Sequence, residues 1–295
     1  MSVATLVSTA RPLRVARARR IPPSAYIVAA IAVAVCAIMA APIVLSFLAS
    51  IKTTADASAA PPRYLPETVS FESYVKVLNY QAGLATYVFN SGLVALITIG
   101  ACLVVAAPAG YGLARYFMRG KEIAFLILLS PIMIPYQAIL TPLYLDFAKV
   151  GLVNNHLGLA IVHTILQLPF SIFLMRSSFE AIPREIEEAA IIDGCSAWTR
   201  MTKVFLPLAV PGLVTVALFA FINSWNEFLA ALIFMNRETS FTVPILLVAV
   251  RTGKLGAVDW GALEASVMIS IVPCLGVYLA LQRYYISGLL SGAVK

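Results

Sequence analysis

Four acidic side chains, Glu185, Glu187, Glu188 and Asp193, fall within nine positions of a strongly apolar chain. Clustered carboxylates can move protons or hold a metal, but both tasks need partners at fixed spacing. The sequence has no HExxH, no GxSxG with a paired histidine and no GxxxxGK[ST] phosphate cradle. The two histidines, His156 and His163, stand alone and suit structural roles better than ligation. Cys36, Cys102, Cys195 and Cys274 show no CxxC spacing, so neither a disulfide framework nor a zinc site is indicated. Two polar groups remain inside apolar runs: Asn223, Asn226 and Glu227 in one, Tyr136 with Gln137 in another. Polar side chains there are expensive and point to a pathway for solute.

The elements that must carry these residues are membrane helices. Of 295 residues 61% are hydrophobic and 12% charged, more apolar surface than a soluble domain needs. In lipid the backbone must satisfy itself, and helices do so. Apolar stretches predict an all-α polytopic membrane protein with six transmembrane helices near 25–50, 86–113, 122–145, 157–178, 208–234 and 262–284. Each is long enough to cross ~30 Å at about 1.5 Å per residue. The first run exceeds the ~7–15 apolar residues of a signal peptide and reads as an uncleaved helix. Arg11, Arg14, Arg17, Arg19 and Arg20 precede it, which places the N-terminus in the cytoplasm. Six spans bring the C-terminus back to the same side. This places 14 of the 21 Lys and Arg inside and 7 outside, though a five-span chain would also accommodate the count. The net charge of +7 therefore reflects topology rather than nucleic-acid binding.

Within this frame the chain divides into a cytoplasmic tail 1–24, a membrane domain 25–285 and a tail 286–295. Segments 52–84 and 236–261 lie outside. Ala106, Ala107, Ala109, Gly110 and Gly112 form a small-residue cluster suited to close helix packing. Pro108, Pro131, Pro135, Pro142 and Pro273 are expected to kink or interrupt helices.

The acidic stretch sits in a cytoplasmic loop, 180–207. Pro183 fits a first helical position, and Glu185 favours the positive end of the helix dipole. Gly194 provides a left-handed stop, Ser196 caps a second short helix, and Pro207 and Pro211 open the fifth span. Ala189 and Ala190 present a small-residue face that another protein can approach. A solvated loop would also fit the acidity alone.

The spacing narrows the choice. Glu188-Ala189-Ala190, then Gly194, Val204 and Leu206-Pro207, resembles the EAA motif of ABC importer permeases, with valine where isoleucine is usual. WNEF (Trp225–Phe228), IPYQAILTPLY (Ile134–Tyr144), Asp259-Trp260-Gly261 and the ending QRYYISGLLSGAVK resemble the carbohydrate-uptake subfamily, and within it the maltose-type second permease. Together they cover the chain from the second span onward.

The resemblance implies the transmembrane domain of a type I importer in a bacterial inner membrane, taking up a carbohydrate or related polyol or sugar derivative. Glu188, Ala189, Ala190, Asp193 and Gly194 would form the helix that couples to the ATPase. The chain would bind no cofactor, with ATP and Mg held by the partner ATPase. Expected partners are a second homologous permease, two ATP-binding subunits, an extracytoplasmic solute-binding protein, membrane lipid and the sugar-type substrate. The tail Ser291–Lys295 would reach toward the ATPases. A secondary sugar transporter is the alternative; neither repeat symmetry nor a midplane carboxylate supports it.

Asn223, Asn226 and Glu227 are expected on one helical face. Glu227 lies 18 residues beyond Ala209, about 27 Å along a helix, near the outer interface. It is either a pathway residue or a structural carboxylate there. Trp225 is expected as an interface anchor, with sugar stacking as the other reading. Arg251, Thr252, Gly253 and Lys254 form either a contact for the binding protein or an ordinary connector.

Overall fold

A computed structural model describes residues 23–251 and 258–293, with side chains as far as Gln282. The described residues form two compact units that divide between Leu45 and Ser46. The first contains most of helix α1 (Pro23–Ser50), which is apolar along its length and long enough to cross a bilayer.

The second unit is built on two long helices, α2 (Leu84–Arg115) and α5 (His156–Glu180), packed along each other more extensively than any other pair. Gly110 sets their separation: a Cβ there would lie 2.6 Å from Met175 Cβ and 2.7 Å from Arg176 N. Ala106 and Ala107 join Gly110 in this buried seam, as the small-residue cluster predicts. Gly112 does not, for nothing lies within 4 Å of a Cβ built on it.

Between them run α3 (Lys121–Leu129) and α4 (Tyr136–Lys149), and the expected continuous span over 122–145 is not continuous. A 3-10 turn, Ser130–Met133, ends the first half, and the chain then turns by 95°. Pro135 supplies the reason: it has no N–H to continue the ladder and its backbone is extended (ψ 117°). Pro108 and Pro142, by contrast, remain inside their helices.

The acidic segment forms α6 (Arg184–Ile192), followed by α7 (Ala197–Leu208) with a π-helical turn over Arg200–Phe205. A 76° bend leads into α8 (Val210–Asn226), which lies across α2 and α5. The expected span 208–234 is likewise broken: Glu227 is extended (ψ 120°) and a short helix α9 (Leu229–Phe234) follows. The chain closes with α10 (Val243–Arg251) and α11 (Trp260–Ala293), so helix continues past the expected end of the last span near 284. Among the described residues, four helices are individually long and apolar enough to cross a membrane, and counting each bent pair as one span gives six.

Near the start of α2, Asn90 Nδ2 donates to the Thr239 and Phe241 carbonyls at 2.9 Å each, and Ser91 Oγ accepts the Val243 N–H at 2.8 Å. These bonds hold the segment between α9 and α10 against α2. At the other end, Tyr111, Phe179 and Phe205 pack into one aromatic cluster with ring centroids 5.2 to 6.3 Å apart.

Candidate functional sites: an acidic docking helix and a polar cavity

The acidic helix is defined at both ends by its sequence. Pro183 is its N-cap, one residue before the expected position, because its backbone is still extended (ψ 147°). At the other end Gly194 adopts φ +75°, where only glycine sits cheaply. The Cys195 N–H donates to Ala190 O and the Gly194 N–H to Ile191 O, both at 3.0 Å, a Schellman stop that satisfies the last carbonyls. Ser196 Oγ then accepts the Thr199 N–H at 3.2 Å and starts the next helix.

The exposed part of this corner includes Glu188, Ala189, Asp193 and Gly194. Ala190 differs from expectation: it is buried, turned toward the rest of the chain, so only one of the two alanines faces outward. The sequence reading missed the apolar residues beside them. Ile192 is 85% and Trp198 69% exposed, with Ile191 also open. Their apolar type in a charged loop is the available signal.

Arg115, at the end of α2, fastens this corner to the bundle. Its guanidinium donates to the carbonyls of Phe179 and Ile182, which end α5, and packs 4.7 Å over the Phe205 ring. Its Nη1 lies 3.7 Å from Glu187 Oε2 on α6.

The second site is a cavity of about 280 Å³ among α2, α4, α5 and α8. Thr98, the fifteenth of 32 residues of α2, places it near the middle of that helix. Asn223 Nδ2 donates to Gln167 Oε1 at 2.6 Å. His163 Nδ1 lies 2.8 Å from Ser224 Oγ, and its Nε2 is 3.4 Å from Glu227 Oε2 without hydrogen-bond geometry. Glu227 accepts the N–H groups of Ala230 (2.8 Å) and Ala231 (3.0 Å), capping α9. A second space of about 440 Å³ shares Tyr136, Leu166, Gln167 and Asn223 with the first and is otherwise lined largely by apolar groups.

Of the expected pathway residues, the structure brings Asn223, Glu227 and Tyr136 to the polar cavity, and Gln137 only to its apolar neighbour. Asn226 lines neither. It is exposed and donates to Ile222 O at 2.8 Å. It falls about 200° around the helix from Ser224, so the face that lines the cavity is 220, 223, 224 and 227. Glu227 has the contacts of the structural alternative: its oxygens accept backbone N–H groups and lie beside His163, while it also lines the cavity. Trp225 is neither anchor nor stacking surface: it is 3% exposed and its indole N–H donates to Ser270 O at 3.2 Å. His163 and Gln167 were missed as cavity residues, although their spacing of four on an apolar helix puts them on one face. Arg251 is exposed at the end of α10, and Thr252, Gly253 and Lys254 lie outside the described residues.

Comparison with known proteins agrees with this architecture. A probable ABC transporter permease protein, YurM of Bacillus subtilis, is 36% identical over 231 residues, 78% of this chain and 76% of its own. The sulfoquinovosyl glycerol transport system permease protein SmoH of Agrobacterium fabrum is 31% identical over 83% of this chain and 85% of its own. Among solved structures, a chain from a bacterial ABC transporter involved in the import of the acidic polysaccharide alginate superposes with TM-score 0.75 and 25% identity, covering 90% of this chain and 99% of that one. A chain of the inward-facing MetNI methionine ABC transporter shares the fold at TM-score 0.56 and 17% identity, over 72% of this chain and 96% of its own. Residues 106–285, including the acidic helix and most of the polar cavity, match the pattern of one family, and the chain belongs to the binding-protein-dependent transport system inner membrane components.

Proposed function

We propose that the chain is one of two homologous membrane subunits of an ABC importer for a carbohydrate or a related polyol or sugar derivative. It performs no catalysis itself. Two separate ATPase subunits bind ATP and Mg, and an extracytoplasmic binding protein delivers the solute. The chain lies in a bacterial inner membrane with both termini in the cytoplasm. Glu188, Ala189, Asp193 and Gly194 dock on an ATPase, with Ala190 packing the helix from behind. Closure of the ATPase pair then moves the membrane subunits between inward- and outward-facing states as rigid bodies.

The observation that carries this reading is the docking corner: a short capped helix with apolar Ile191, Ile192 and Trp198 exposed beside the acidic residues. Such a surface on a charged loop fits burial against a protein. The carbohydrate class is supported by relatives named for sulfoquinovosyl glycerol, diacetylchitobiose and arabinooligosaccharides. Asn223, Glu227 and Tyr136 contribute to the solute pathway in this reading. Arg251 and the adjoining 252–254 face the binding protein.

Uptake by the reconstituted complex tests it. ATP-dependent, vanadate-sensitive accumulation of a labelled saccharide is expected. Accumulation driven by an ion gradient and indifferent to vanadate would overturn the proposal in favour of a secondary transporter.

A further inference from the structure

The polar cavity contains hydrogen-bonding capacity that the chain does not use. Gln167 is only 6% exposed, and its Nε2 donates to nothing among the described residues. His163 is 4% exposed, and its Nε2 faces Glu227 Oε2 at 3.4 Å without hydrogen-bond geometry. Buried polar groups are nearly always satisfied, so the unpartnered Gln167 nitrogen in the cavity wall asks for a ligand.

The arrangement specifies the ligand's chemistry. Asn223 and Gln167 form one amide–amide bond at 2.6 Å. Whichever amide donates, such a pair leaves one whole NH2 group, one further N–H and one carbonyl unused within the pair. A hydroxyl group both donates and accepts and matches such a pair. Tyr136 and the apolar neighbouring space give the carbon face of a pyranose a surface to lie against. Among the described residues neither Lys nor Arg lines either space, whereas the Glu227 carboxylate stands in the wall of the first. An anion entering would meet like charge and no cation, a penalty that grows as water is excluded.

We propose that this subunit carries its own solute subsite, formed by Gln167, Asn223, His163 and Tyr136, and that it accepts uncharged saccharide hydroxyls and rejects carboxylated or sulfonated sugars. This rests on the importer reading above and adds to it a binding role and a charge preference for this chain.

The test uses the full complex in proteoliposomes and reads labelled saccharide imported per ATP hydrolysed, a ratio that separates solute handling from coupling. The probes are a neutral disaccharide and a uronate-containing disaccharide, both loaded on the binding protein. For the wild type, the neutral probe should be imported at a ratio at least tenfold above the uronate. Gln167→Leu should lower the neutral ratio roughly tenfold, the scale of one buried hydrogen bond. Gln167→Arg should raise the uronate ratio, a gain that a structural defect does not produce. Unchanged ratios in both variants, with ATP-driven uptake intact, overturn the subsite and leave the importer reading standing. ATP-driven uptake of the uronate alone overturns the charge preference. Absence of ATP-driven uptake of any saccharide by the wild type overturns both readings.

Discussion

Arg115 and Glu187 face each other at 3.7 Å, on opposite sides of the boundary between the helical bundle and the acidic corner. Because Arg115 also caps the end of α5 and covers Phe205, it links α2, α5, α6 and α7 through one guanidinium. An arginine at such a point is more than a charge, since its planar fork can serve several acceptors at once.

Replacing Arg115 with Leu strands the Phe179 and Ile182 carbonyls and the Glu187 carboxylate. The expected loss of stability is about 2–4 kcal/mol, because the remaining partners stay buried or half-buried. Arg115→Lys should recover only part of it. Thermal unfolding of the detergent-solubilised variants measures this, and equal melting points for all three proteins would refute it.

Gly194 separates backbone from charge. Asn and Asp both reach left-handed geometry, and nothing lies within 4 Å of a Cβ placed there. Gly194→Asn should therefore keep the loop and most of its transport. Gly194→Asp adds a carboxylate beside Asp193 on the docking face and should abolish uptake while membrane insertion stays intact. Uptake rates and membrane fractionation of the pair check this; equal uptake by both would show that charge on this face is irrelevant.

The α2–α5 seam predicts a sharp contrast between neighbouring glycines. Gly110→Val would drive its side chain into Met175 and the Arg176 backbone, at a cost of about 1–3 kcal/mol or more. Gly112→Ala meets nothing and should be neutral or slightly stabilising. Chemical denaturation of both variants in detergent is the measurement. A Gly110→Val protein as stable as wild type would mean that the helices do not approach as closely as described.

Glu227 holds the break between α8 and α9. Glu227→Ala removes the acceptor of the Ala230 and Ala231 N–H groups and should destabilise by about 1–2 kcal/mol, as loss of a helix cap does. Glu227→Gln retains one acceptor and should lose less. Identical melting of the two variants would argue against the capping role.

The membrane class and the helix–turn–helix form of the acidic corner were legible because each rests on local rules. Apolar length identifies a span whatever its neighbours, and Gly194 and Ser196 dictate their own turns. The two breaks were not. Pro135 signals a kink, but its 95° turn depends on how Ser130–Met133 packs, and nothing local to Glu227 distinguishes an extended residue from a helical one. Asn226 and Trp225 both lie inside α8, so their placement follows from which face of α8 turns toward α2, α5 and α11, a choice that depends on packing rather than on local sequence. Arg115 and Gln167 were missed for a related reason. Their roles depend on Glu187 and Asn223, which lie 72 and 56 positions away, and no pattern within one helix brings such pairs together.

The most direct measurement of the central claim is to tag this chain, extract it in mild detergent and identify what co-purifies. The account predicts a second permease and an ATPase, with the ATPase lost from variants in which Glu188 and Gly194, or Ile192 and Trp198, are changed. Recovery of the chain alone, as a stable homo-oligomer still active in uptake, would contradict it.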